Sequence, residues 1–348
     1  GTWNAFSMWN QNYSNNRIRN NIIYGKLKDD QNAAILRADW SMYDIEFAHN
    51  TCVVEMGSKV TRLFELGGCC TTRRACWYGN IIYFSGNTTA AVYEVASNDL
   101  QYFRGDGNIY WNPAVKAANL GIGRSSTTAT PWNLTQWQSQ VPNQEKASQV
   151  VDPLLLKPKP PYIVPQGFNV VPASPAIDKA VSFPGYATFP ADPVVTDYTG
   201  RYRDDKPDVG AFEGSGFATF GAGCQGTNKK VPQMGSQGPV AIPSPTFAIT
   251  VKDGKPSSPA FMIVGNSDAS WSNLTLPFDL GGGCQLYTGL NLTFPTAINA
   301  TGAGTQPLPI PNAPELVGTS VFTQWLISDS ASASPFMLTT SDGGAINF

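Results

Sequence analysis

Apolar residues in the N-terminal half of the chain come in short alternating runs rather than at helical spacing. Ile22 and Tyr24 alternate with Ile23, and Ile45 and Phe47 alternate with Glu46. The stretch NNIIYG (Asn20 to Gly25) is echoed by HNTCVV (His49 to Val54), GNIIYF (Gly79 to Phe84) and GNIYWN (Gly107 to Asn112). Aligned on Asn21, Asn50, Asn80 and Asn108, the echoes are separated by 29, 30 and 28 residues. Repeats of this length mark solenoids, because one unit cannot bury its apolar face until a neighbour stacks on it. Alternation with a period of two makes the units strands. The pattern therefore predicts a right-handed parallel β-helix whose coils each hold two or three short strands. The asparagine is expected at the tight corner, where it tolerates the left-handed backbone region and hydrogen-bonds locally. Stacked coils would then set the amides of Asn21, Asn50, Asn80 and Asn108 in a ladder.

After Gly214 the texture changes. Alternating runs at Thr246–Val251 and Phe261–Val264, broken by Pro, Gly and Ser, predict a small antiparallel β-sandwich. The fold class is all-β, with a parallel β-helix over residues 1–215 and a sandwich over 216–348. Cys224 and Cys284 each follow a Gly-rich turn, and pairing them would close a loop worth about 4 kcal/mol in the chain-entropy model. The terminal run, with Phe336, Met337, Leu338, Ile346 and Phe348, has two readings: a connector for assembly with another copy, or the last strand of its own sandwich.

Composition narrows the function. The 348 residues are 42% hydrophobic and 14% charged with a net charge of −2, enough for one large or two medium cores but no electrostatic footprint for nucleic acid. No apolar run is long enough for membrane insertion, and the start lacks a signal-peptide pattern, so the chain reads as mature or trimmed. Six cysteines suggest local disulfides and an oxidising, extracellular or surface setting. Among Cys52, Cys69, Cys70 and Cys76 the irregular spacing disfavours zinc, and Cys52 is expected to bridge to one of the other three. Sequons at Asn12, Asn87, Asn133, Asn273, Asn291 and Asn299 matter only in a host that glycosylates them.

The phrases RIRNNIIYG, FAHNTCVV, YGNIIYFSGN and DGNIYWNP resemble successive coils of pectate-lyase-like right-handed β-helix proteins, especially secreted and surface bacterial forms. SPAIDKA (Ser174 to Ala180) and DYTGRYRDDKPDVGAFEG (Asp197 to Gly214) resemble the closing coil of that group, through Asp178, Asp197, Gly200, Arg203, Asp208, Gly210, Ala211, Phe212 and Glu213. Unlike those proteins, the chain is expected to enter a coil almost directly from Gly1, the open end being either the result of truncation or covered by something else. Residues from FGAGC onward, with Leu276-Pro277-Phe278, Leu280 to Cys284 and Gln324-Trp325, are similar to a C-terminal module appended to secreted proteins of planctomycete-like bacteria. That resemblance implies export and surface interaction rather than catalysis.

The β-helix resemblance raises an enzymatic alternative. Polysaccharide lyases of this fold abstract a proton with Arg or Lys next to a uronate held by Ca²⁺, and the hydrolases use paired carboxylates. Arg37, Asp39, Asp44 and Glu46 are the catalytic candidates, with Arg17 and Arg19 one coil earlier. The competing reading is weak surface pairing. His49 is the single histidine and lacks partners for a triad or metal site. No metal or cofactor is expected except Ca²⁺ for a lyase. Trp3, Trp9, Trp40, Trp77, Trp111, Trp132 and Trp137 offer a third reading, a carbohydrate-binding surface without turnover. The favoured expectation is a noncatalytic structural or adhesive surface protein that self-associates head to tail into a filament, with polysaccharide as the alternative partner.

Overall fold

The computed structural model describes all residues except 1–3, 9–15, 39–42, 68–72, 142–143, 160–165, 172 and 183–191. The chain divides into two compact units, Gly1–Glu213 and Gly214–Phe348.

The first unit is a parallel β-solenoid built from three sheets. One sheet stacks β1 (Asn4–Met8), β4 (Ala34–Ala38), β7 (Arg62–Leu66), β10 (Ala91–Val95) and β13 (Gly123–Ser125). A second stacks β2 (Asn16–Arg19), β5 (Tyr43–Ala48), β8 (Arg73–Tyr78) and β11 (Phe103–Asp106). The third stacks β3 (Ile22–Lys26), β6 (Thr51–Glu55), β9 (Ile81–Ser85), β12 (Ile109–Trp111) and β14 (Gln149–Val150). Every neighbouring pair is parallel, so each coil repeats the register of the one before. Ile18, Phe47 and Trp77, for example, are Cα partners down the second sheet.

That register puts like positions on top of one another and fills the core with stacked rings. Phe47 stacks on Trp77 at 5.6 Å, Trp77 on Phe103 at 6.0 Å, and Tyr93 on Trp137 at 6.3 Å. Each buried ring removes about 150–250 Å² from water, which makes this column the main source of cohesion in the unit. Trp137 comes from α1 (Leu134–Gln140), whose start is fixed by a reciprocal capping box between Asn133 and Gln136. The helix lays the fully buried Trp137 over the last coil and closes the core there.

The corner between the second and third sheets has its own column. The left-handed residues are Asn20, His49, Gly79 and Gly107, with φ of 53°, 52°, 62° and 62°. Each stands immediately before a repeat asparagine, so the left-handed position falls one residue earlier than expected. Asn50, Asn80 and Asn108 are fully buried and turn inward.

The segment read as a closing coil is instead a strap along the outside of the solenoid. Strands β6, β9 and β12 send Val53, Ile81, Tyr83 and Ile109 outward, and Leu155, Phe168, Ala176, Val209, Ala211 and Phe212 pack on them as a second apolar layer. Crossing the corner, Gly210 N–H donates to Gly79 O at 2.7 Å and Ala211 N–H to Thr51 Oγ1 at 2.9 Å. Arg203 Nη2 reaches Asn20 Oδ1 at 3.1 Å. Gly210, at φ 103°, has no room for a side chain against Ile81 and Thr51.

The second unit is antiparallel. Its larger sheet runs β15 (Gly216–Phe220), β26 (Leu338–Asn347), β25 (Ser320–Ser328), β18 (Pro259–Gly265), β23 (Leu292–Ala297). The smaller runs β16 (Gln233–Gln237), β17 (Ala248–Lys252), β24 (Gly304–Pro307). Two short hairpins complete it: β19 (Ser270–Trp271) with β20 (Leu274–Thr275), and β21 (Phe278–Asp279) with β22 (Gln285–Leu286). Met234, Ile249 and Val251 of the smaller sheet meet Met262, Trp325 and Ile327 of the larger in one core, the packing of a β-sandwich. Cys224 and Cys284 are disulfide-bonded across 60 residues.

Candidate functional site

The repeat asparagines form a continuous hydrogen-bonded line. Asn21 donates through N–H and Nδ2 to Asn50 Oδ1 at 2.9 and 3.0 Å. Asn50 does the same to Asn80 Oδ1 at 2.9 and 3.1 Å, and Asn80 to Asn108 Oδ1 at 3.0 and 2.9 Å. The Nδ2 groups of Asn50, Asn80 and Asn108 also reach a carbonyl of an earlier coil: Ile18 O, Phe47 O and Trp77 O respectively. Each buried amide therefore has partners, which is what makes a polar line tolerable in a core.

The catalytic candidates are not brought together. Arg37 lies on β4 in the first sheet and pairs with Glu65 of the next coil at 3.3 Å. Glu46 lies on β5 in the second sheet and is fully buried. Arg19 Nη2 reaches it at 2.6 Å, Arg17 Nε lies 3.5 Å away, and the Tyr78 hydroxyl donates to it. Asp39 and the side chain of Asp44 lie outside the described residues. Arg37 and Glu46 thus lie in different sheets, because consecutive strands of a coil belong to different sheets.

Glu46 is sealed as well as neutralised. Asp192 of the strap bonds Arg17 and also Arg19 Nη1, the latter at 2.9 Å. On the first sheet, Arg37, Glu65, Glu94 and Arg124 occupy matched positions on successive strands. Glu65 also takes Arg62 Nε at 3.1 Å, and Glu94 takes Arg124 Nε at 2.8 Å. Among the described residues no group of His, Cys, Asp and Glu could hold a metal ion. No helix among them is long and apolar enough to cross a membrane.

The resemblance motif resolves into a clamp. Asp197 Oδ1 accepts from Thr199 N–H at 2.7 Å and Arg201 N–H at 2.9 Å, while Oδ2 accepts from Glu213 N–H at 3.0 Å. Arg203 and Glu213 form an ion pair at 3.0 Å with side chains 1% and 3% exposed. Burial raises the Glu213 carboxyl, Asp208 adds to the rise, and Arg203 opposes it. Asp208 takes Asp178 N–H at 2.8 Å, joining SPAID to the DVGAFE turn. The motif therefore holds the strap together. His49 lies beneath it, buried and edge-on to Tyr78 at 5.7 Å. Burial lowers its pKa well below the usual histidine value, and Arg203 and Arg19 lower it further.

The assembly candidates divide. Leu338 and Ile346 lie in β26, which pairs with β25 from Leu338 to Asn347 and with β15 at Gly343–Asn347, so its last half is interior to its own sandwich. Phe348 N–H donates to Thr319 O at 3.0 Å and its carbonyl accepts from Gly318. At Ile346 the strand is paired on both sides and has no edge to offer another copy, which favours the reading as a strand of its own sandwich, and Leu338 pairs with Ser328 of β25. Phe336 and Met337 precede β26 and are 59% and 61% exposed. Cys52 carries a free thiol in the core, contrary to the bridge expected for it, because it faces inward at the register of Ile23 and Ile82. Cys69 and Cys70 lie outside the described residues. Trp77 and Trp137 are core residues, Trp111 and Trp132 are half-buried, and Trp3, Trp9 and Trp40 lie outside the described residues.

A depression of about 510 Å³ lies beside Leu100, Gln101 and Arg104, but among the described residues no carboxylate lines it. The Arg104 guanidinium is already bonded to Gln101 O and Phe103 O at 2.8 and 2.7 Å. Sequence reasoning missed Glu145, Ser148 and Tyr110, which end the asparagine line; no spacing pattern marks them. No family model, curated protein or solved structure matches the chain.

Proposed function

We propose that the chain is a noncatalytic extracellular or cell-surface protein in which the solenoid serves as a structural or adhesive rod. The observation that carries this reading is where the charged side chains go. Arg17–Glu46, Lys26–Glu55, Arg37–Glu65 and Arg124–Glu94 each tie one coil to the next, alongside the asparagine line. Polar chemistry in the unit runs along the solenoid axis, where it holds coils together. A lyase or hydrolase groove of the pectate-lyase-like kind would need some of these groups turned toward substrate. That family likeness rests on the coil and strap motifs and supports export.

The rod is proposed to polymerise head to tail. Strands β1, β2 and β3 end their three sheets, and no strand among the described residues pairs with their outer edges. In the sandwich, β23 is an edge strand with Leu292 57% exposed. Unpaired edges are templates for strand addition. Pairing β23 of one copy with the open coil of the next is heterologous and propagates unless it closes into a ring.

Light scattering of the native protein and of Leu292→Lys tests this, with circular dichroism as the check on folding. We expect native polymers and a folded, dispersed variant. A folded variant that still polymerises overturns the β23 contact. Ca²⁺-dependent cleavage of acidic polysaccharide by the native protein would overturn the noncatalytic reading.

A further inference from the structure

The asparagine line stops at a buried carboxyl. Asn108 N–H donates to Ser148 Oγ at 2.8 Å, and its Nδ2 to Glu145 Oε2 at 3.3 Å. Glu145 is 0% exposed and held at φ 54°. Its Oε1 accepts from the Tyr110 hydroxyl at 2.8 Å, and its Oε2 from the Ser148 hydroxyl. None of the ion pairs among the described residues includes it. The ionisable groups around it are Asp106 of β11, Tyr110 of β12 and, 3.0 Å behind Tyr110, the Tyr93 hydroxyl of β10. Its neighbour Lys146 points to solvent.

The segment carrying this carboxyl is the end stop of the solenoid. Glu145 N–H donates to Gly105 O at 2.6 Å, Gly105 N–H donates to Gln144 Oε1 at 2.6 Å, and Ala147 N–H donates to Asp106 Oδ1 at 2.7 Å. Gln138 of α1 donates through Nε2 to Glu145 O at 2.7 Å, tying the helix to the same segment. A Cβ at position 105 would collide with the Glu145 carboxyl, so Gly105 gives the acid its room.

An ionised carboxylate sealed from water without a cation is costly, whereas the neutral acid is an ordinary hydrogen-bonding group. We propose that Glu145 is a proton-operated latch: protonated, it lets Gln144–Ser148 close the end of the ladder, and ionised, it drives that segment open by local unfolding. Opening uncovers Asn108 and the edges of β11 and β12.

Burial pushes the carboxyl up to about 7; hydrogen bonds from Ser148, Tyr110 and Asn108 hold it back, and Asp106 adds to the rise. Once released it titrates as an ordinary glutamate near 4.3. The closed form thus binds more protons between these values, so closure is complete in acid and is lost as pH rises through the closed-state value. From about pH 5.5 to about pH 8.5 the open fraction should grow about 30-fold.

Amide hydrogen exchange at Gly105, Asn108 and Gln149, referred to intrinsic rates across that range, reads the opening directly. Expected is a loss of protection of about 30-fold in the native protein and a flat profile in Glu145→Gln. Asp106→Asn, which keeps its acceptor oxygen, should move the midpoint down. Tyr110→Phe, which removes a donor to the carboxylate, should move it up. A flat native profile overturns the latch, as does a Glu145→Gln profile that still slopes. If Glu145→Gln does not fold, unmoved midpoints in the other two variants overturn it.

Discussion

In the solenoid, Asn50 touches Asn80, 30 residues away, and the same spacing joins Arg124 to Glu94. In the sandwich, Phe217 pairs with Ile346 across almost the whole unit, and Cys224 is bonded to Cys284 over 60 residues. The first unit thus adds one coil at a time, each held by its neighbours, so its stability approximates a sum of nearest-neighbour terms. The second must bring distant strands together before any core exists, and a covalent clamp restricts its unfolded chain. Buried polar groups follow the same division. Amide side chains hold the corners of the solenoid, while in the sandwich Gln324 Nε2 joins Ser341 O and Gln285 O at 2.9 and 2.8 Å across separate elements.

The sharpest way to break this contrast is to hollow out one unit. Trp77→Ala removes a fully buried ring that touches Phe47, Phe64, Tyr93 and Phe103, and should cost the solenoid about 5 kcal/mol while leaving the sandwich transition in place. Calorimetry that follows both transitions checks it. The reciprocal lesion, Cys224→Ser with Cys284→Ser, should cost the sandwich about 4 kcal/mol. Urea unfolding read at that unit should show the loss, with the solenoid transition unmoved.

Next in size is Asn80→Ala. It takes the acceptor from two donors of Asn50 and the donor from Phe47 O, and should cost about 3 kcal/mol. If the coils are coupled as described, Asn50→Ala and Asn80→Ala should be non-additive in a double-mutant cycle.

His49 gives the smallest effect at neutral pH and a distinct one in acid. Its native pKa lies below the ordinary value, so the folded state binds fewer protons than the unfolded state. The stability this provides is present above about pH 6.5 and is lost as pH falls through the native value. His49→Phe should flatten the acid limb of a stability-against-pH curve for the solenoid and leave that of the sandwich unchanged.

The repeat was legible because Asn21, Asn50, Asn80 and Asn108 share one residue type and one job. The left-handed column was not, since Asn20, His49, Gly79 and Gly107 share a backbone conformation and little chemistry. Alternation assigned the strands but not their sheets, so the separation of Arg37 and Glu46 into two sheets could not be read from it. The strap had a signal that was available: TCVVE and IIYFS are apolar on both faces, which a strand needs only when both faces are covered. The final strand could not be placed, because alternation looks the same in an interior strand and an edge strand. The carboxyl of Glu145 follows no period, since it occurs once, where the repeat stops.

Head-to-tail assembly, as proposed, is the claim most directly open to measurement. Electron microscopy of the native protein, undenatured, should show regular filaments with an axial repeat about one subunit long. Dispersed single particles at the same concentration would contradict it.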